Sequence, residues 1–133
     1  MSKLFKLKIV TPQKVFFEEE VKGLDTETIE GKRGILPMHS PLIAILKPTV
    51  SKITKESGEE KGFFSSTGIL KVSNEEVTML CDAAEWPEDI NRKRAEEAKA
   101  RAEGRLEEKD KIDIERAKLA VLRAVKRLEA SEV

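Results

Sequence analysis

The chain changes character once, at Trp86-Pro87, and no fold of uniform texture accommodates both sides of that break. Upstream, short apolar runs are cut by Gly, Pro and Asn. Downstream lie 47 residues rich in Ala, Leu, Lys, Arg and Glu, 25 of them charged, with no Phe or Trp and no Pro beyond Pro87 itself. The first part holds the material for a core. The second is too thinly apolar to fold firmly alone, which points to an arm that docks or moves. The domains divide at 1–86 and 87–133.

Residues 1–86 predict a series of short strands. Phe5, Leu7 and Ile9 alternate with Lys6 and Lys8, the period-two pattern of a half-buried strand. Val77, Met79 and Cys81 alternate with Glu76, Thr78 and Asp82, Leu80 being the exception. Between them come apolar clusters at Val15–Phe17, Leu42–Leu46, Val50–Ile53, Phe63-Phe64 and Ile69–Val72. Turn chemistry separates these clusters at Thr11-Pro12, Gly31–Gly34, Pro48, Ser57-Gly58, Thr67-Gly68 and Ser73-Asn74. Such spacing argues for an all-β sandwich or barrel.

From Glu88 onward the reading is helical, with Pro87 in the first turn and Glu88 and Asp89 where acids favour the helix dipole. Ala95, Ala98, Ala102 and Leu106 mark one face at helical spacing. The charge run Glu107–Lys111 interrupts that stripe and is the expected turn, with Asp110 or Asp113 capping a second helix from near Ile112. Ile114, Ala117, Val121, Ala124 and Leu128 form its main stripe, while Leu119 and Leu122 open a second apolar patch. The result is an antiparallel helical hairpin. Ala stripes bury little, and Gly104 costs a helix interior about 1 kcal/mol relative to Ala. A partner offering better burial at Leu119 and Leu122 would open such a hairpin; a charged helical pair permanently folded back on the body fits the same pattern.

Formal net charge is zero, so there is no one-signed field to draw a phosphate backbone, and nucleic acid is not an expected partner. The single Cys81 excludes an internal disulfide. No run approaches the roughly 20 apolar residues of a membrane helix, and the N-terminal Lys3, Lys6 and Lys8 break up any signal-peptide core. The chain reads as soluble and intracellular, without direct bilayer insertion. Catalytic signals are nearly absent: one His, one Cys, no Tyr, and no phosphate loop, paired Cys or nucleophile elbow. The chain is not expected to be an enzyme or to require a cofactor or metal. One segment stands out, Gly34-Ile35-Leu36-Pro37-Met38-His39-Ser40-Pro41-Leu42, where two prolines bracket the sole histidine. It reads as a stiff exposed bend presenting Met38 and His39, after a tight polar turn at Glu30–Gly34. On spacing alone it is either a structural corner with a locally bonded His or a contact surface.

That segment resembles the Gly-Ile-Leu-Pro-Gly-His-x-Pro-Leu signature of the epsilon subunit of F-type ATP synthases. Ile9-Val10-Thr11-Pro12 is similar to the family's opening strand, 63–72 to its central hairpin and 77–85 to its last strand, so the likeness covers essentially the whole chain. The resemblance implies an N-terminal β-sandwich of about ten strands followed by a C-terminal two-helix hairpin. It implies a central-stalk role at the cytoplasmic face of the membrane, the sandwich clamping the gamma subunit and resting on the c-ring. The hairpin would extend toward the alpha and beta subunits and suppress ATP hydrolysis. Glu30, Lys32, Arg33, Met38 and His39 look like c-ring-facing positions, although Lys32 stands where some members carry an acid and Met38 replaces the usual Gly. Arg116, Arg123, Lys126 and Arg127 resemble basic positions of the inhibitory arm, with Leu119 and Leu122 beside them; a solvated face with intrahelical pairs is the plainer account. Some members bind ATP through Ile/Leu-Asp-x-x-Arg-Ala. Here Ile90, Arg94 and Ala95 match but Asn91 replaces the acid, and Arg101, Arg123 and Arg127 would complete a regulatory ATP pocket. From a different class, an independent β-sandwich binding module with a helical oligomerisation arm accounts for the same composition.

Overall fold

A computed structural model describes residues 3–74, 76–107 and 114–133. The described elements are nine strands and two helices: β1 (Phe5–Val10), β2 (Val15–Thr28), β3 (Gly31–Ile35), β4 (Leu42–Leu46), β5 (Thr49–Lys55), β6 (Glu60–Ser65), β7 (Gly68–Ser73), β8 (Glu76–Cys81), β9 (Ala84–Glu85), α1 (Arg92–Glu107) and α2 (Ile114–Ser131). The β-rich body and helical pair agree with the sequence, at nine described strands rather than ten. The expected turn at Glu107–Lys111, from Glu108 on, and the proposed cap at Asp110 or Asp113 lie outside the described residues.

The strands run β1-β8-β7-β4-β2-β5-β6-β9, and β1 also pairs with β2, which folds the sheet onto itself. The long β2 makes that possible. Its first half pairs antiparallel with β1 and its second half with β3 and β5, with a register shift between Val21 and Gly23. Alternation then sorts each strand into an inner and an outer face. Phe5, Leu7, Ile9, Val21, Leu24, Ile53, Phe63, Leu70, Val77 and Met79 fill the core. A buried hydroxyl chain, Thr26–Ser51–Ser65 at 2.8 and 2.7 Å, satisfies its own donors and acceptors across β2, β5 and β6.

Two sequence expectations are corrected. Residues Gly31–Gly34 are not a turn but part of β3. The turn is at Ile29-Glu30, with Gly31 at φ 124°, and Glu27 faces Lys32 while Thr26 faces Arg33 across the pair. A solvent-facing strand with polar cross-strand partners needs no apolar alternation, so period two gave no signal there. The first helix also starts later than Glu88. Pro87–Asp89 makes one 3-10 turn, Ile90 is extended at φ −81° and ψ 125°, and α1 opens at Arg92. Asn91 caps it, its Oδ1 accepting the Arg94 N–H at 3.0 Å.

Trp86 belongs to the sandwich. Its ring stacks on Phe16 at 4.4 Å and meets Phe63 and Phe17 edge-on, with Lys61 Nζ 4.2 Å from its centroid. The change of direction therefore falls after Trp86, across residues 87–91. From there α1 and α2 pack together, with Ala95, Ala102, Ala117 and Ala124 buried, and α2 packs on β5 and β6. The helices are antiparallel, since Arg92 at the start of α1 reaches Ser131 and Glu132 at the end of α2. Space is open around Gly104, where an added Cβ would meet nothing within 4 Å.

Candidate functional site

Each outer face of the sandwich carries apolar side chains, and among the described residues only one of the two faces is covered. On β4, β7, β8 and β1 the pairings Ile45–Ile69, Ile69–Leu80 and Leu80–Val10 set four apolar residues in one row across four strands. Ile43, Ile45, Ile69 and Leu80 are 73, 55, 47 and 49% exposed. Beside the row, Lys71 and Lys8 flank Thr78 in the next register. Most surface residues of these types stand singly; a contiguous row across four strands marks a contact surface.

On the other layer Val50, Phe64 and Glu85 are cross-strand neighbours on β5, β6 and β9. Phe64 lies outside the core cluster yet is fully buried, because the arm covers it. The Arg127 guanidinium sits 4.5 Å from the Phe64 ring centroid and its Nε donates to Glu85 Oε1 at 2.6 Å. Both side chains of that pair retain under a third of their exposure, so water screens it less than a surface pair. Val133 rests on Gly62, where an added Cβ would come within 2.5 Å of Val133 Cγ1. Arg92 closes the corner through Ser131 at 3.0 Å and Glu132 at 2.9 Å; the Glu132 hydrogen bond raises the pKa of its already basic guanidinium.

Between the start of α1 and the sandwich lies a cleft of about 500 Å³ lined by Glu85, Asp89, Asn91, Arg94, Ala95, Ala98, Arg101 and Arg127. Of the residues expected around ATP, the structure brings Asn91, Arg94, Arg101 and Arg127 together. Ile90 and Arg123 are not in its lining. Arg94 and Arg101 make no ion pair among the described residues, whereas Arg127 is held by Glu85 and the Asn91 oxygen by the helix cap. Sequence reasoning missed Glu85 and Asp89, which it had placed in a strand end and a helix start. Only their proximity across the hinge reveals them.

Of the expected c-ring-facing residues, Glu30 precedes β3, Lys32 and Arg33 lie within it, and Met38 and His39 follow it. Glu30 is in the turn before it, paired with Arg33 at 3.6 Å, and Met38 and His39 are in the bend after it. The five residues of β3, roughly 16 Å of strand, lie between Glu30 and the segment that holds Met38 and His39. Met38 adopts φ 66°, the left-handed region where a Gly is at ease and a Met is strained, and it is 75% exposed. His39 hydrogen-bonds locally through Nδ1 to the Ser40 carbonyl at 2.8 Å, as a structural corner would. Nearby, burial opposes ionisation of Glu27, but hydrogen bonds from Lys47 and Thr49 outweigh it and hold its pKa below the ordinary 4.5.

On α2, Arg116 is exposed, Arg123 and Lys126 are half-buried, and Lys126 pairs with Glu129 at 3.3 Å. Leu119 and Leu122 are half-buried as well, so they are less open than the sequence suggested. Among the described residues no group of three or more His, Cys, Asp or Glu could hold a metal, and no helix is long and apolar enough to cross a membrane. Burial, seconded by Asp82, pushes the Cys81 thiol up to about 12, where it is inert as a nucleophile.

Residues 4–87 match the family described as ATP synthase, Delta/Epsilon chain, beta-sandwich domain, and residues 88–132 match ATP synthase, Delta/Epsilon chain, long alpha-helix domain. The chain belongs to the ATP synthase epsilon-chain family. It is 62% identical to the ATP synthase epsilon chain of Clostridium novyi over 129 residues, covering 97% of this chain and 98% of that one. The corresponding protein of Clostridium kluyveri is 49% identical over 128 residues, with 96% and 97% covered. Among solved structures, a chain of the Euglena gracilis mitochondrial ATP synthase, OSCP/F1/c-ring in rotational state 1, superposes with a TM-score of 0.84 at 20% identity. That match covers all of this chain and 83% of the other, and establishes the shared fold. A chain of the Tetrahymena thermophila mitochondrial ATP synthase central stalk and c-ring matches at TM-score 0.56 and 16% identity over 65% of this chain and 69% of that one. As an epsilon chain it is a subunit of the rotary ATP synthase.

Proposed function

We propose that this epsilon chain is a non-catalytic coupling and regulatory subunit at the cytoplasmic face of the cell membrane, peripheral to the bilayer. The bare row Ile45–Ile69–Leu80–Val10 is the gamma-binding face, with Lys71 and Lys8 on its rim favouring acidic residues at the edge of the partner's patch. The β3 hairpin, with Glu30, Lys32 and Arg33 at one end and Met38 and His39 at the other, rests on the c-ring. The strained, exposed Met38 supplies an apolar contact where a Gly would supply none. The arm undocks to meet the alpha and beta subunits through Arg116, Leu119, Leu122, Arg123, Lys126 and Arg127, and in that state it suppresses ATP hydrolysis.

One observation carries this reading: α2 is the layer between α1 and the sandwich, and the fully buried residues of both helices are all Ala. Each buried Ala methyl contributes about 0.8 kcal/mol, so two helices joined this way separate at modest cost. A partner then moves the equilibrium by its differential affinity for the undocked arm. The test is truncation after Trp86 in the assembled ATPase. Assembly is expected to persist and ATP hydrolysis to rise; unchanged hydrolysis refutes the inhibitory role.

The cleft beside Asn91 favours a second, regulatory reading, in which ATP stabilises the docked arm. Arg94 and Arg101, which make no ion pair among the described residues, offer guanidinium groups for phosphate oxygens. Asn91 supplies an amide where an acid would be charged, so contacts to the nucleoside are weakened. Titrating ATP into the isolated chain while following the distance between arm and sandwich checks this; no compaction at millimolar ATP removes it.

A further inference from the structure

We propose that the opening where β2 parts from β5 is an oxyanion site for a phosphate group, held by Lys32, Arg33 and Lys52. The backbone makes the opening. β2 pairs with β5 as far as Asp25–Lys52 and then crosses to β4 at Thr28–Leu46, so the two strands diverge over Thr26 and Glu27. Side-chain alternation would send Lys52 and Arg33 to opposite faces of a continuous sheet, because Lys52 lies beside Asp25 and Arg33 beside Thr26. With the sheet parted there, both line one cleft of about 400 Å³. Gly34, the partner of Asp25 on β3, adds no side chain to it; a Cβ there would come within 3.2 Å of Asp25 Oδ1.

Charge decides what such a cleft takes. Its lining holds three cations, Lys32, Arg33 and Lys52, against one acid, Asp25. Lys52 Nζ meets Glu60 at 2.7 Å and Asp25 at 3.7 Å, and the Glu60 hydrogen bond raises its pKa, so it stays charged. Arg33 meets Glu30 at 3.6 Å through one terminal nitrogen, which leaves the rest of its guanidinium fork for a ligand. Lys32 is exposed and makes no ion pair among the described residues. Glu27 faces it across the strand pair but is held by Lys47 and Thr49. The hydroxyls of the cleft are engaged as well, Thr26 with Ser51 and Thr49 with Glu27, so the cations and not the threonines are the ligands. They arrive from β3 on one side and β5 on the other. A planar carboxylate serves one such direction, whereas a tetrahedral phosphate turns oxygens toward both. The Lys52 and Arg33 side chains keep 44 and 37% of their exposure, so binding is sensitive to salt. Free phosphates and anionic lipid headgroups offer the same group, and the experiment separates them.

The experiment titrates inorganic phosphate into the full chain while following amide NMR shifts. In parallel it sediments the chain with phosphatidylcholine vesicles, with and without phosphatidylglycerol. Shifts centred on Lys32–Gly34 and Lys52 are expected with inorganic phosphate and make a free phosphate sufficient as ligand. Sedimentation confined to the phosphatidylglycerol vesicles, without such shifts, assigns the site to a lipid headgroup. In either case Lys32→Gln is expected to weaken binding by at least about ten-fold, the scale of one hydrogen bond to a charged group, with an unchanged thermal melt. Arg33→Gln is expected to do the same. Lys14→Gln removes an equal charge at an exposed position just before β2 and is expected to leave binding unchanged. Neither shifts nor sedimentation overturns the site. Equal weakening by Lys14→Gln overturns it too, because net charge and not the cleft then binds. So does binding that survives intact in both Lys32→Gln and Arg33→Gln.

Discussion

The sandwich has two apolar outer faces, and the chain treats them oppositely. Ile45, Ile69 and Leu80 stand about half exposed on one; Phe64 is fully buried on the other. Among the described residues no segment covers the bare face, while the opposite face is covered by the chain's own arm. The difference teaches that exposure alone does not identify a binding surface. The face that looks finished is covered by an element joined to the body through residues 87–91, with Arg127 over Phe64.

The largest expected effect breaks the bare face. Ile69 is the middle of the row, paired with Ile45 on one side and Leu80 on the other. Ile69→Asp places a charge at its centre and is expected to weaken gamma binding by at least about 30-fold, the scale of a 2 kcal/mol hot spot. Stability of the isolated chain should move by no more than about 1 kcal/mol, since the side chain is already half in water. Calorimetric titration with the gamma subunit, set beside a thermal melt, separates the two. Binding that survives would make the row an ordinary surface.

Phe64→Ala breaks the covered face, and its effect is next in size. Burying a Phe side chain is worth about 1.5–3 kcal/mol, which is a ceiling here because the flanking strands shield part of the ring in either state. The loss should fall on docking and not on the sandwich. Hydrogen exchange of α2 amides is expected to accelerate by one to two orders of magnitude while β7 and β8 stay protected. Uniform acceleration would mean that Phe64 serves the core.

The sequence carried the two-part architecture because its signals are local. Alternation at Phe5–Ile9 and Val77–Cys81 and Ala spacing at 95, 98 and 102 each need only neighbours along the chain. The β3 strand was illegible because its partners are polar and lie across the turn, not along the strand. The cleft was half legible. Asn91, Arg94, Arg101 and Arg127 came from resemblance to the family motif, whereas Glu85 and Asp89 joined them through a hinge whose path depends on Trp86 stacking on Phe16. The Arg127–Glu85 contact joins residues 42 apart, and nothing in either one's neighbourhood marks the other.

The smallest effect is at the hinge that connects the faces, and it turns on what Asn91 is for. Its side-chain oxygen already accepts the Arg94 N–H, so its first role is to start α1. Asn91→Ala is expected to cost about 1 kcal/mol of helix stability, read as fraying of the first turn of α1 in hydrogen exchange. Asn91→Asp keeps the cap and adds a negative charge at the helix N-terminus, a gain of about 0.3–1 kcal/mol. The two substitutions thus separate capping from ligand binding. If Asp stabilises α1 and also tightens ATP-dependent compaction, the cleft is a nucleotide site in which this chain carries a weakened residue. If Asp stabilises α1 and compaction is absent in both, Asn91 is a cap alone, and the arm answers to its partners through the Arg127 contact.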